Sequence, residues 1–445
     1  MSRNKFQIIS QRCLVAVVAT GIGGAIQLSH AAESPPADTN APSIALDALV
    51  ADVLEHNPEL NFYGAEITAA KGERRTAAAW ANPEVSTTVG QKQVRGGGLS
   101  DEGVAWSVSV LQTFEWPGRI PLRKAIANHQ IKLAGLGFDQ FRSALTARAR
   151  TLAFNLFAAQ EKAAAAREVA ERFQALREVI VQRDAAGLTP LLERRIIEAT
   201  ELTLQRKASE AALEAQAAML ELNQLRGQPW TNALKVESPQ LSFPSVPDVD
   251  ALLSATETNN FELQMRQAEL EQQGFRVSLA KNEKNPAVKV GPYLAQERAG
   301  DRETQIGIGL SLPLPLWNRN TGKIATEEAR QQQAATSLLV TRRSIERQVV
   351  ERARAYRTKI AEMAKWRQDS VPQFKEAAAL ADRHYRLGAV PMATYVELQK
   401  QYLEAVEALL DTKREALEAG QELQRLTGLE FKAVQTVTPD KSPNP

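Results

Sequence analysis

The side chains that could do chemistry are few and scattered. Beyond the N-terminal region the chain has three histidines, His56, His129 and His384, far apart and without the short spacing a metal site needs. Met219, Met265, Met363 and Met392 stand singly and read as core residues. The one cysteine, Cys13, lies in the N-terminal apolar stretch, so the remaining chain can form no disulfide and no thiolate site. No Ser/His/Asp set, phosphate-cradling glycine loop or paired-carboxylate motif is present. These residues point away from an enzyme and call for no cofactor and no bound metal. With 54 basic and 52 acidic side chains, the balance gives no support to nucleic-acid binding.

Residues 1–31 have the pattern of a secretory signal. Arg3, Lys5 and Arg12 precede an apolar stretch from Cys13 to Ile26, and Ser29-His30-Ala31 offers small residues for cleavage after Ala31. The glycine-interrupted apolar run is short for a membrane anchor, which takes about 20 residues. Ser-Gln-Arg before Cys13 does not fit a lipoprotein cleavage site. An exported chain with no other long apolar segment is soluble, peripheral, or a β-barrel.

The elements that must carry the function come twice. Leu46-Asp47-Ala48-Leu49 recurs as Val249-Asp250-Ala251-Leu252, Asn57-Pro58-Glu59-Leu60 as Asn260-Phe261-Glu262-Leu263, and Asn82-Pro83 as Asn285-Pro286. Trp116 recurs as Trp317, Gly187-Leu188-Thr189-Pro190 as Gly388-Ala389-Val390-Pro391, and Leu225-Arg226-Gly227 as Leu426-Thr427-Gly428. An offset drifting between about 200 and 204 marks a tandem duplication. The organisation read from it is a polar leader over 32–45, a first repeat over 46–228, a Pro-rich linker over 229–248, a second repeat over 249–429 and a disordered tail over 430–445.

Within each repeat the period changes from helix to strand and back. Val104, Trp106, Val108 and Val110 alternate with Ala105, Ser107 and Ser109; Ile306, Ile308, Leu310, Leu312 and Leu314 alternate with small residues and proline. One apolar and one small or polar face predicts β-hairpins over 84–115 and 286–316, with strands of about ten residues, the length of a tilted membrane-spanning strand. Helical stripes follow: Phe141, Leu145, Ala149, Leu152, Leu156 and Ala159 in one copy, and Ile345, Val349, Ala353, Tyr356, Ile360 and Met363 in the other, at identical steps. The first implies an unbroken helix roughly 100 Å long at 1.5 Å per residue, and the second a matching one. The return helix after each Gly-Pro turn is too short to cover it. The helix before the strands supplies the missing length, so the two shorter helices should stack end to end beside the long one, putting strands at one end of a rod and turns, 187–190 and 388–391, at the other.

Four amphipathic strands cannot close a barrel, which needs about eight. Copies of the chain must pool them. At this point the sequence resembles the TolC family of outer-membrane efflux channels over Leu46 to Leu429. The stretch Gly309-Leu310-Ser311-Leu312-Pro313-Leu314-Pro315-Leu316-Trp317-Asn318-Arg319-Asn320-Thr321-Gly322, with Phe114-Glu115-Trp116-Pro117-Gly118-Arg119, is similar to the CzcC-like, heavy-metal branch. The resemblance implies an α+β chain of long antiparallel helices and two hairpins. It implies a homotrimer with a twelve-stranded barrel in the outer membrane of a Gram-negative bacterium, continued by a helical tunnel in the periplasm. Its partners would be a periplasmic membrane-fusion adaptor and an inner-membrane RND pump, and its cargo divalent heavy-metal cations. Drugs or secreted polypeptide are the alternative cargoes, and a periplasmic coiled-coil scaffold without a pore is the non-channel alternative.

The resemblance also assigns residues. Gly187, Leu188, Thr189, Gly388, Ala389 and Val390 would be the tips that dock the adaptor. Glu193 would bond Tyr385 and hold the tunnel closed; Val390 stands where the family has an arginine, leaving Arg386 or Arg194 as substitutes. Glu397 matches one acid of a lumenal constriction, whose second position is Thr394 here. Trp116 and Trp317 would sit at the membrane–water boundary, or else pack in the joint between barrel and tunnel.

Overall fold

The computed structural model describes residues 43–96, 99–184, 191–366, 370–429 and 435–436. The signal over 1–31 and nearly all of the leader fall outside these residues.

The first copy runs β1 (Ser43–Ile44), α1 (Leu46–His56), α2 (Pro58–Ala78), β2 (Glu84–Gly96), β3 (Leu99–Phe114), α3 (Arg119–Asp184) and α4 (Leu191–Leu225). After β4 (Lys235–Val236) and β5 (Leu241–Ser242), the second copy runs α5 (Val249–Asn259), α6 (Phe261–Asn282), β6 (Val288–Ala299), β7 (Asp301–Ser311), α7 (Thr321–Met363), α8 (Ser370–Arg386) and α9 (Met392–Thr427), followed by β8 (Gln435–Thr436).

The end-to-end stacking is made by one repeated side chain. Asn57 caps α2, its Oδ1 accepting from the Glu59 N–H at 3.0 Å, while its Nδ2 donates to the Leu225 carbonyl at the end of α4, 2.9 Å away. In the second copy Asn260 accepts from the Leu263 N–H at 3.0 Å and donates to the Leu426 carbonyl at 2.7 Å. Each asparagine is buried and satisfies orphan groups at two helix ends at once. Gly227 and Gly428 follow with positive φ. A Cβ on Gly428 would lie 2.5 Å from that of Asn259, so the repeated glycine keeps the joint tight.

The helical stripes are the core. Leu145, Ala149, Leu156 and Ala159 on α3 are buried, as are Ile345, Val349, Ala353 and Tyr356 on α7. The helix α3 packs on α2 and α4 of its own copy and on α6 and α9 of the other.

Three expectations are corrected. The second long helix is not continuous: α7 ends at Met363 and α8 begins at Ser370. Pro372, in the first turn of α8, has no N–H to give and its ring would strike the carbonyl four residues back, which ends a helix arriving from α7. The strand β7 stops at Ser311, so Leu312 and Leu314 leave the sheet and the second hairpin is shorter than 286–316; Pro313 and Pro315 cannot donate to a ladder. The tail expected to be disordered contributes β8, antiparallel to β5, and the linker and leader likewise meet in the parallel pair β1–β4.

The remaining strands form one antiparallel sheet in the order β2-β3-β6-β7, with β2 and β7 at its edges.

Candidate functional site

The register fixes which side chains share a face of the sheet. Val85 stands opposite Val110, Thr87 opposite Val108, Val108 opposite Leu294, Leu294 opposite Ile306, and Val290 opposite Leu310. Strand alternation therefore gathers Val85, Val89, Val104, Val108, Val110, Leu294, Ile306, Ile308 and Leu310 on one face. Ile306, Ile308 and Leu310 are 80, 78 and 70% exposed, an apolar surface left uncovered among the described residues. In water this would be costly; against lipid it is the expected arrangement.

The opposite face carries Ser86, Ser107, Ser109, Gly307 and Gly309, with charges held in pairs. Lys92 Nζ lies 2.6 Å from Glu297 and 3.2 Å from Glu303, and Lys289 lies 2.7 Å from Glu84. The ring of Tyr293 lies across Gly307, where any Cβ would meet it at 2.7 Å. Sequence reading missed the Lys92 cluster, because its members sit on three strands of two hairpins and only the register brings them together. Trp116 and Trp317 are both exposed, Trp317 at 94%, so neither is buried in a joint within one chain. Trp80, edge-on to Phe114 with ring centroids 6.2 Å apart, is a third exposed tryptophan beside the strands.

At the other end, the structure brings the expected pair together: the Tyr385 hydroxyl donates to Glu193 Oε2 at 3.4 Å, a long hydrogen bond. Gly388, with φ of +73°, ends α8 in a Schellman turn, its N–H donating to the Tyr385 carbonyl and that of Ala389 to the His384 carbonyl, both at 2.9 Å. This turn fixes Tyr385 one turn before the tip. Tyr385 stacks on Tyr395, centroids 5.3 Å apart, and Tyr395 meets Phe173 at 5.1 Å. Burial pushes the Tyr395 hydroxyl pKa up, with the Asp382 charge adding to the rise. Tyr395 was not anticipated, although Met392, Tyr395, Gln399 and Tyr402 step along one buried face at helical spacing.

Arg386 closes on Asp382 at 3.0 Å and Arg194 reaches Glu198 at 3.4 Å. Glu397 is exposed on α9 and accepts from Gln401 at 2.9 Å, and Thr394 is exposed one turn before it. Gly388, Ala389 and Val390 form the described tip; Gly187, Leu188 and Thr189 lie outside the described residues. Among the described residues no group of three His, Cys, Asp or Glu side chains could hold a metal, and no helix is long and apolar enough to cross a membrane.

A model of the family described as outer membrane efflux protein matches residues 252–429, most of the second copy. That stretch belongs to the outer membrane efflux protein family. Over 412 residues, covering 86% of this chain and 85% of the relative, the sequence is 24% identical to the pyoverdine export outer membrane protein OpmQ of Pseudomonas aeruginosa. The fold matches the CmeC outer membrane channel of Campylobacter jejuni with a TM-score of 0.71 at 15% identity, over 86% of this chain and 85% of that one. It matches the open state of the MtrE outer membrane channel of Neisseria gonorrhoeae with a TM-score of 0.67 at 16% identity, over 89% and 96%. The structural likeness extends the shared fold to both copies. These similarities place the chain in the outer membrane and liken it to efflux channels.

Proposed function

We propose that three copies of this chain pool their four-stranded sheets into one closed twelve-stranded barrel, continued by a helical tunnel into the periplasm, as the exit duct of a tripartite exporter. The observation that carries this is the sheet itself: one face apolar and uncovered, the other small, polar and charged, with both edges available for pairing. A pore-free periplasmic scaffold would have no use for that apolar face. The duct is passive. An inner-membrane RND pump supplies the energy, and a periplasmic membrane-fusion adaptor bridges the two by docking on the tips around Gly388 and Gly187. Native mass measurement in detergent tests the assembly: a trimer is expected, and a detergent-free monomer would overturn it.

For cargo, divalent heavy-metal cations are the reading supported by the Gly309–Gly322 segment and its partner Phe114–Arg119. A conduit needs no tight site for what it passes, since strong binding would slow exit. The similarity to a pyoverdine export protein favours a second reading, a small organic export substrate. Deleting the gene separates them. Raised sensitivity to zinc, cobalt or cadmium salts supports cations; unchanged metal tolerance with intracellular retention of an organic product supports the second.

A further inference from the structure

The second hairpin carries a graded face. On the side of the sheet that holds Ile306, Ile308 and Leu310, the ladder between β6 and β7 passes through the pairs Val290–Leu310, Pro292–Ile308, Leu294–Ile306, Gln296–Thr304 and Arg298–Arg302 in turn. The first three are apolar. Gln296 then donates to the Thr304 hydroxyl at 3.3 Å, and the half-buried Trp106 of β3 stands opposite Gln296. The last pair is basic, and both of its arginines are exposed. Gly300, with φ of +82°, turns the chain just beyond them, so the pair sits at the hairpin tip. Apolar residues, then an amphipathic ring with a polar pair, then cations, is the order of a lipid leaflet from hydrocarbon through interface to phosphate.

The opposite face of the same hairpin shows what the arginines lack. Glu297 and Glu303 are also like charges directly opposed across the ladder, an arrangement that destabilises a sheet unless a counter-charge intervenes. There the fold supplies one, since Lys92 Nζ lies 2.6 Å from Glu297 and 3.2 Å from Glu303. Arg298 and Arg302 have no such partner: they make no ion pair and no side-chain hydrogen bond among the described residues. Glu102, which shares their face, accepts from Gln93 instead. Arg95, on the same face of β2, is likewise exposed and unpaired among the described residues.

We infer that Arg298 and Arg302 together bind the phosphate of an anionic lipid headgroup in the outer leaflet. Guanidinium groups match phosphate oxygens in bidentate fashion, and two of them on directly opposed strand positions can straddle one phosphate. The occupant is a lipid because the pair continues the apolar ladder. Acyl chains lying on Ile308, Leu294 and Ile306 bring a headgroup to the height of the arginines. This rests on the proposed duct, which turns the hairpin tips outward.

Native mass measurement of the detergent-solubilised trimer tests it by counting bound lipid. Lipid A bearing two phosphates should be retained several-fold more than its dephosphorylated form, which has the same acyl chains. The double variant Arg298→Gln/Arg302→Gln should lose that preference, and Arg343→Gln, an exposed arginine on α7, should keep it. In detergent without lipid the double variant should melt no lower than wild type, because it removes two opposed cations. A lower Tm there would assign the arginines to the fold and overturn the inference. Equal retention of both lipids, or a preference that survives in the double variant, overturns it too, while a conducting trimer leaves the duct standing. Full displacement of the lipid by inorganic phosphate at equal concentration overturns the lipid as the ligand. A monomer without conductance overturns both this inference and the duct.

Discussion

Leu156 and Leu310 are the same side chain used in opposite ways. On α3, Leu156 is fully buried among helices; on β7, Leu310 is uncovered among the described residues. The helical rod follows the rule of water-soluble proteins, apolar inside and charged outside, and its surface carries ion pairs such as Lys162–Asp411 at 2.8 Å. The sheet inverts that rule, with its apolar face uncovered and paired charges such as Lys92–Glu297 on the opposite face. On the proposed duct reading two solvents meet one chain, and the exposed tryptophans at the strand–helix junctions would mark the line between them.

The largest effect should come from the buried side of this contrast. Leu156→Ala removes a side chain with no room to be replaced and should cost about 2–5 kcal/mol, seen as a lower midpoint for helix unfolding. Leu310→Arg should cost roughly 2–4 kcal/mol, but only in the membrane. Outer-membrane yield should fall while the isolated helical stability is unchanged, and an equal fall for Gly309→Ser would break the assignment of faces. On the inner face, a Cβ at Gly309 meets its nearest neighbours at 3.7–3.9 Å, ordinary contact, so Gly309→Ser should leave yield close to wild type.

How much of this the sequence carried depends on range. Alternation in Ile306, Ile308 and Leu310 and the stripe through Leu145, Ala149 and Leu156 are local signals, and both survive in the structure. The repeated Asn57 and Asn260 were visible as motifs, but their double duty at two helix ends was not, since each partner carbonyl lies more than 160 residues away. The break between α7 and α8 was legible in Pro372 and was overridden by the continuing apolar steps to Met363. At the tip, Glu193 and Tyr385 came from a family resemblance, and the structure brings them together; Glu397 came from the same source and is exposed on α9, accepting from Gln401.

A smaller effect should come from that tip. At 3.4 Å the Tyr385–Glu193 bond is at the weak end, about 1 kcal/mol. Tyr385→Phe and Glu193→Gln should each raise open probability a few-fold without changing trimer stability. A true pair gives a double variant no more open than the more open single one; additive changes would move the gate elsewhere.

The central claim is that the sheet's inverted faces serve a pore. Purified in detergent and added to planar bilayers, the protein should insert and give discrete ohmic conductance steps, with inserted units eluting as trimers. A protein that leaves the bilayer silent and stays monomeric in water without detergent would contradict the account.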